Sequence, residues 1–535
     1  MTRPVAGARQ WLADQIPDAH SRRYRAGARM REWARDAGDL ARGTRQRLGA
    51  DPRGVTWGAF RIPAARSTTG NWLEQHRRSA TFVSDALTAA GIRHFAYSDS
   101  TLRLRIGAVI DDQSQVIAAL HLVAAPGPVV VGAELQETLH AVADLRVASG
   151  RTLNTAQTLR VACPISDPDA ATVLGPECGV SVDRWWPESS GALRTAAPNR
   201  WASVIPREAQ DAALLQGLPT FAPLTDRHVN DVVDPIDAVV TWVDGDDPAW
   251  RARRRQRVGD VADETRHRSI DELRYCLRSL RTYAPWIRTI HLITDDQRPR
   301  WLRDAPGLRL VDHRALWEDP SALPVFNSHA IETQLHRVPD LAEQYLYVND
   351  DVFLARDHEP EDFFTGAGQA RFFPSPTLRV GFGGEAGLPS AAARNDRRLL
   401  RELTGRVQTA KLEHTPHPQL RSVCLDLESR FPEAYATTSR SPLRDPADIS
   451  PVTLAAWYGA ATGRFVPAAT EQRYWDLRTR DLAGALNHLR RERHLDTFCL
   501  NMGEEPGDRL AGNVATVADF LPRYFPFRTP WEEAP

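Results

Sequence analysis

Lysine is all but missing from this sequence: Lys411 is the only one, so nearly all of the 67 basic residues are arginine. With a high alanine content, that usage fits a GC-rich source and carries no function by itself. What arginine supplies is a planar fork suited to phosphate wherever several converge. Cysteine is equally sparse. The five present, Cys163, Cys178, Cys276, Cys424 and Cys499, are odd in number, widely spaced and never arranged as CxxC. That argues against a zinc site or a disulfide framework and for a reducing compartment. A net charge of −1 removes any whole-chain argument for nucleic acid as a partner. No apolar run approaches the length of a membrane span, and the first residues lack the apolar core of a secretory signal. The expectation is a soluble cytoplasmic protein, with contact to a membrane surface left open.

What is present suggests several regions. Residues 1–50 hold eleven arginines against five acidic residues, with Trp11, Leu12, Ile16, Tyr24, Met30 and Trp33 at loosely helical spacing. This reads as a basic helical arm, either packed on its own protein or touching anionic lipid as a peripheral membrane contact. Residues 51–183 read as an α+β accessory region. The pattern predicts a helix at 73–91 and strands at 93–97, 102–110 and 128–132. It predicts a helix or strand at 115–123 and a helix at 133–142. His94, Asp99, Asp111 and Asp112 read as loop and strand-end polar residues. The segment 184–235, with Trp185, Trp186, Pro187 and further prolines, reads as an extended linker.

From 236 the pattern becomes α/β. IDAVVTWVDGDDPAW (236–250) is an apolar strand that carries Asp237 and runs into an acidic Gly/Pro turn. Open α/β sheets place ligand groups at such strand ends, although the aspartates can also simply solvate the loop and cap a helix. Helices are expected at 249–258, 269–283 and 328–336, and strands at 288–294, 307–311 and 344–354. In the second helix Ile270, Leu273, Leu277 and Leu280 recur at the helical period, with Arg274 and Arg278 one turn apart on another face, where they either touch a pyrophosphate or merely pair with Asp271 and Glu272. In the last strand, QYLYVNDDVFL places Asn349, Asp350 and Asp351 inside apolar sequence. Two carboxylates there are costly unless they meet a cation or hydrogen-bond donors. A divalent ion held by one or two carboxylates and by substrate phosphate oxygens accounts for them. A solvated strand-end turn is the plain alternative.

Three stretches then follow one another in order: PIDAVVTWVDGDDPAW, DELRYCLRSLRTYAPWIRTIHLITDDQRPRWL and LPVFNSHAIETQLHRVPDLAEQYLYVNDDVF. Together with HTPHPQLRSVCLDLESRFPEAYATTSRSPLRDPADI (414–449) and TFCLNMGEE (497–505), they resemble the signature blocks of the Stealth family over about 236–505. That family comprises bacterial capsular polysaccharide phosphotransferases and the catalytic part of the lysosomal-enzyme N-acetylglucosamine-1-phosphotransferase. The resemblance implies an α/β catalytic domain at 236–535. Its sheet is expected to be mixed, Rossmann-like or nucleotide-sugar-transferase-like, with a helical insertion at roughly 390–495 and the α+β region N-terminal to it.

The implied reaction transfers a sugar-1-phosphate from a nucleotide-diphosphate sugar, by default UDP-N-acetylglucosamine with loss of UMP, to a glycan hydroxyl in capsular or cell-surface polysaccharide. Such chemistry needs in-line positioning, neutralisation of a pyrophosphate and a base at the acceptor hydroxyl. By block match, His414 is the acid/base, ahead of the structural His417, while Arg444 and Arg394 clamp phosphate. Asp350 and Asp351 are the expected ligands of Mg2+ or Mn2+, with Asp351 also counted as catalytic. Asp237, Trp242, Arg274, Arg278, Glu332, Asn349 and Asn501 are expected to contact donor or substrate.

Two departures stand out. Met502 occupies a position where the family usually has aspartate, so that if that aspartate binds metal the site here is depleted or Glu504 or Glu505 substitutes, and Ile270 replaces a polar residue. Acid-rich turns after strands also serve ordinary glycosyltransferases that release UDP. The Met502 departure keeps open a protein that binds nucleotide sugar or glycan without turnover.

Overall fold

The computed structural model describes residues 55–57, 60–135, 138–169, 171–259, 269–382, 387–502 and 510–533. The proposed basic arm at 1–50 and the substitutes Glu504 and Glu505 lie outside the described residues. The chain divides into two compact units, Met1–His228 and Val229–Pro535.

In the first unit helix α1 (Trp72–Ala89) starts where the Asn71 side chain accepts the Glu74 amide. With α2 (Ser114–Leu120) it covers an eight-stranded sheet. The strands are β1 (His94–Ser98), β2 (Leu104–Val109), β3 (Val130–Leu135), β4 (Thr138–Asp144), β5 (Thr158–Ala162), β6 (Val180–Pro187), β7 (Leu193–Thr195) and β8 (Val204–Ile205). Their order is β8-β7-β6-β5-β3-β4, with β2 paired to β6 and carrying β1. Val83, Leu87, Val116 and Leu120 on the helices close over Ile106, Val131, Leu159 and Val182 of the sheet.

Two expectations fail here. The stretch 133–142 is not a helix: Ala133–Leu135 pairs antiparallel with Thr138–His140. The supposed linker 184–235 supplies the end of β6, the strands β7 and β8 and a further hairpin, Ala212–Leu215 with Leu218–Phe221. Trp185 of that stretch is core and packs edge-on to Phe95 with ring centroids 5.2 Å apart.

The second unit is a mixed α/β structure. Its main sheet contains β9 (Ile236–Thr241), β10 (Ile290–Thr294), β11 (Leu308–Asp312), β12 (Gln344–Asn349) and a later strand, His417–Leu420, in the order β11-β10-β9-β12 and then that edge strand. The first four are parallel, and the edge strand runs antiparallel. Ala238, Val239, Val240, Leu292, Ile293 and Leu346 are completely buried, as expected for strands covered on both faces. The chain builds outward from β9 through β10 and β11 and then returns to lay β12 on the other side of β9. Their carboxyl ends, Thr241 and Asn349, lie side by side in register. That reversal of strand order is where open α/β sheets bind ligands.

Helix α3 (Pro248–Val258) follows β9, with Asp247 as its cap. Helix α4 (Glu272–Tyr283) buries Leu273, Leu277 and Leu280 and delivers its first turn to the same edge of the sheet. The expected helix 328–336 is shorter, ending at Glu332, and 335–337 forms a separate 3-10 turn. His336 lies in that turn, and its Nε2 is 2.8 Å from Glu428.

Asp237 is placed against its expected role. It sits near the amino end of β9, fully buried, with both oxygens taken by Arg288 (2.9 and 2.6 Å), the Ala342 amide (2.8 Å) and His291 (3.4 Å). Burial alone would raise its pKa, but His291, Arg288 and the amide overcome that and hold it at about 2. This carboxylate fastens strand entry and has no valence left for a donor. Asp237→Ala is expected to destabilise the second unit by about 2–3 kcal/mol, since charge-assisted bonds are lost and buried donors orphaned. The contribution is present above the ordinary pKa of 3.8 and fades as pH falls toward 2. Urea melts at pH 7 and pH 3 should therefore show a smaller gap between variant and wild type at the lower pH.

Candidate active site

Beyond Asn349 the chain turns through Asp350 and Asp351 and resumes as β13 (Val352–Leu354). β13 pairs with β15 (Thr497–Asn501), which in turn pairs with β14 (Gln472–Asp476). This small sheet brings the fourth sequence block onto the acidic turn. Asn501 Nδ2 donates to Asp351 Oδ2 at 3.0 Å, Cys499 Sγ approaches the same oxygen at 3.5 Å, and the Leu500 amide donates to the Asp351 carbonyl. From α4, the Cys276 thiol points at the Asn349 carbonyl (3.8 Å), and Glu272 lies in the same acidic group.

Burial pushes all three carboxylates up. Asp350 goes well above the usual carboxylate range, with Glu272 and Asp351 adding to it. Glu272 reaches about 7, burial again dominating, although its Oε2 accepts the Ile270 amide at 2.6 Å. Asp351 is raised less, because Asn501, Cys499 and His414 offset its burial. Among the described residues no cation forms an ion pair with Asp350. From sequence Glu272 is expected at most to pair with Arg274 or Arg278; only the fold carries it to Asp350.

His414 follows the short strand Ala410–Leu412 and is clamped on both sides. Its neighbour Glu413 accepts from Gln472, and Thr415 Oγ1 lies 3.0 Å from Thr497 Oγ1. The imidazole is open to solvent yet crowded by protein. Burial lowers its pKa, Asp351 and Glu413 oppose that, and Lys411 and Arg444 reinforce it. Arg444 Nη2 donates to Ser328 Oγ at 3.1 Å and lies within electrostatic reach of Glu332. Burial drives Glu332 up to about 7 against that guanidinium, and its Oε2 is buried without a hydrogen-bond partner. Arg394 stands on helix α5 (Leu388–Thr404), with Nη1 buried and unpartnered. It acts electrostatically on Lys411, whose Nζ donates to Ser390 Oγ at 2.9 Å. The chain's only lysine is thus part of the cationic group around His414. His417, by contrast, is half-buried and stacks near Tyr347, with burial pushing it to about 3.

Two of the expected residues lie elsewhere. Arg278 donates twice to Glu532 (2.9 and 2.6 Å) and once to the Phe525 carbonyl (2.9 Å), so its fork is consumed by the C-terminal segment. Arg274 is paired with Asp271 at 3.0 Å and lies over the Trp301 ring at 4.9 Å. Both line a cavity of about 680 Å3 with Arg300, Trp301, Arg528 and Glu532. Trp242 sits just past the carboxyl end of β9, its Nε1 buried without a hydrogen-bond partner.

The donor set suits a hard divalent ion only in part. Carboxylate oxygens are the right chemistry, and Asp350 lacks a countercharge. Among the described residues, however, no three His, Cys, Asp or Glu side chains are grouped closely enough to enclose an ion by themselves. Such an ion would be held by Asp350 and Asp351 together with substrate phosphate oxygens. Among the described residues no helix is long and apolar enough to cross a membrane.

All four Stealth protein conserved regions match this chain: region 1 at 234–262, region 2 at 266–372, region 3 at 413–461 and region 4 at 487–535. The exopolysaccharide phosphotransferase SCO6023 of Streptomyces coelicolor is 40% identical over 477 residues, spanning 84% of this chain and 81% of that protein. The exopolysaccharide phosphotransferase CpsY of Mycobacterium tuberculosis is 40% identical over 376 residues, 67% of this chain and 70% of CpsY. A solved galactosyltransferase, LgtC with donor and acceptor sugar analogs, aligns over 53% of this chain and 95% of its own at 12% identity and a TM-score of 0.29, too slight a likeness to carry an argument. The chain belongs to the Stealth family of phosphotransferases.

Proposed function

We propose that this protein transfers a sugar-1-phosphate from a nucleotide-diphosphate sugar to a hydroxyl of a growing exopolysaccharide, leaving a phosphodiester and releasing the nucleoside monophosphate. The observation that carries this reading is the meeting of His414 with Asp351 on one side and Lys411 and Arg444 on the other. A neutral imidazole takes the acceptor proton. Arg444 and Arg394 offer forked donors to the phosphoryl oxygens. Asn501 holds the acidic turn in shape by its bond to Asp351, and Asn349, at the end of β12, is assigned to donor or substrate contact. Asp350 and Asp351 are the residues suited to Mg2+ or Mn2+, which would neutralise charge on the pyrophosphate. Glu332 and Trp242 each keep a buried polar atom unpartnered beside this edge and are assigned to substrate contact. Attack at phosphorus keeps the anomeric bond, so the nucleotide product identifies the reaction. Incubation with UDP-N-acetylglucosamine, Mg2+ and a glycan acceptor is expected to give UMP and a phosphodiester signal in the glycan. UDP with no phosphorus in the product would instead assign anomeric-bond cleavage.

A further inference from the structure

We infer that Tyr474 is the platform on which the acceptor sugar ring stacks, making β14 one wall of an acceptor subsite. The inference rests on the reading of His414 as the group that takes the acceptor's proton. Any hydroxyl that gives up a proton to His414 must come within hydrogen-bond reach of it, about 3 Å, so the sugar carrying that hydroxyl touches whatever flanks the imidazole. Tyr474 flanks it. The two ring centroids are 4.8 Å apart at 53°, and Tyr474 still exposes 39% of its surface.

Its place in the small sheet points the same way. Tyr474 is in register with Cys499, whose thiol approaches Asp351, and Gln472 and Asp476 of the same strand pair with Thr497 and Asn501. Gln472 also binds Glu413, so the strand bearing Tyr474 and the segment bearing His414 are tied directly to each other. A large exposed aromatic is thereby fixed between the proposed base and the acidic turn. None of the hydrogen bonds among the described residues engages its hydroxyl. An aromatic face with a free polar tip suits a sugar ring, which presents C–H groups to the face and hydroxyls to the tip. Beside it, the strand's next residue, Trp475, is half-buried and lies near Phe498 with centroids 6.2 Å apart, while Tyr474 is exposed.

The test uses the full-length enzyme with oligosaccharides released from the producing cell's exopolysaccharide by mild acid as acceptors, and with UDP-N-acetylglucosamine as donor. Tyr474→Leu is expected to raise the acceptor KM by roughly tenfold or more, the scale of losing one aromatic stacking contact. Donor KM, the pH profile of kcat and slow donor hydrolysis in the absence of acceptor should stay as in wild type. Tyr474→Trp should retain acceptor affinity, and Tyr474→Phe should lose only the smaller share due to the hydroxyl. These two variants keep the comparison valid should the leucine variant fold poorly. An unchanged acceptor KM in Tyr474→Leu overturns the inference. So does a fall in kcat with a shifted pH profile at constant acceptor KM, which would make Tyr474 a prop for His414, and so does a rise confined to donor KM. If UDP rather than UMP is released, the proposed reaction fails while the acceptor KM comparison still decides the role of Tyr474.

Discussion

Replacing His414 by alanine is expected to reduce turnover by about 10^2- to 10^4-fold, the usual share of a positioned acid/base, with donor affinity little changed. In the proposed reaction the imidazole serves the acceptor while Arg444 and Arg394 would meet the donor's phosphate charges, so binding and proton transfer should separate. Equilibrium binding of donor alongside single-turnover rates would show it; loss of donor binding in step with rate would give His414 to the donor instead. The pH profile adds an independent check. A base acts in its neutral form, which is lost as pH falls through its pKa. Burial, reinforced by Lys411 and Arg444, holds His414 below the ordinary 6.5, while Asp351 and Glu413 pull it back up. The acid limb of kcat/KM is therefore expected below pH 6.5. Glu413→Gln, which removes one of the opposing negative charges, should move that limb lower still. An unmoved limb would mean that another group is titrating.

Much of this site was legible in the sequence because its members stand at strand ends or in stiff turns. Asn349, Asp350 and Asp351 interrupt an apolar strand, a local anomaly that demands an explanation wherever it is found. His414 sits in a proline-braced segment, and the structure does hold it on both sides. What was not legible depends on distance along the chain. Asp237 looked like a site residue because an acid in a buried strand is unusual. Its partners Arg288 and Ala342 lie 51 and 105 residues away, and the pair anchors the end of the strand opposite the site. Glu272 shows the converse error, since a helix's first turn is where acids are commonplace. The sheet of the first unit was misread for a related reason. Short strands with turn residues between them resemble a proline-rich linker until their pairing is known, and the pairing of β6 with β2 and β5 is non-local.

The last expectation separates structure from chemistry at Arg278. This arginine reads like a pyrophosphate ligand one turn from Arg274, yet its fork closes on Glu532, 254 residues away in sequence, and its remaining nitrogen on the Phe525 carbonyl. Both partners are nearly buried, with 10% and 3% of their side-chain surfaces exposed. Burial would raise the Glu532 pKa, and Arg278 with the Thr529 amide brings it below the ordinary 4.5 instead. Arg278→Met keeps the length of the side chain but leaves Glu532 with only the longer, 3.8 Å contact to Arg528. Breaking a buried pair in this way typically costs about 3–5 kcal/mol, enough to lower the melting temperature of a unit this size by roughly 6–15 °C. The penalty should shrink as pH drops through 4.5, because a protonated Glu532 no longer needs the cation. Arg278→Met combined with Glu532→Leu should recover most of the loss, since replacing both charges removes the desolvation cost with the attraction. Donor KM, measured well below the melting temperature, should barely move in either variant. A variant that melts like the wild type but needs much more donor would return Arg278 to the pyrophosphate and leave the C-terminal segment to be held by Arg303, Leu302 and Trp301, which bond residues 530–533 independently.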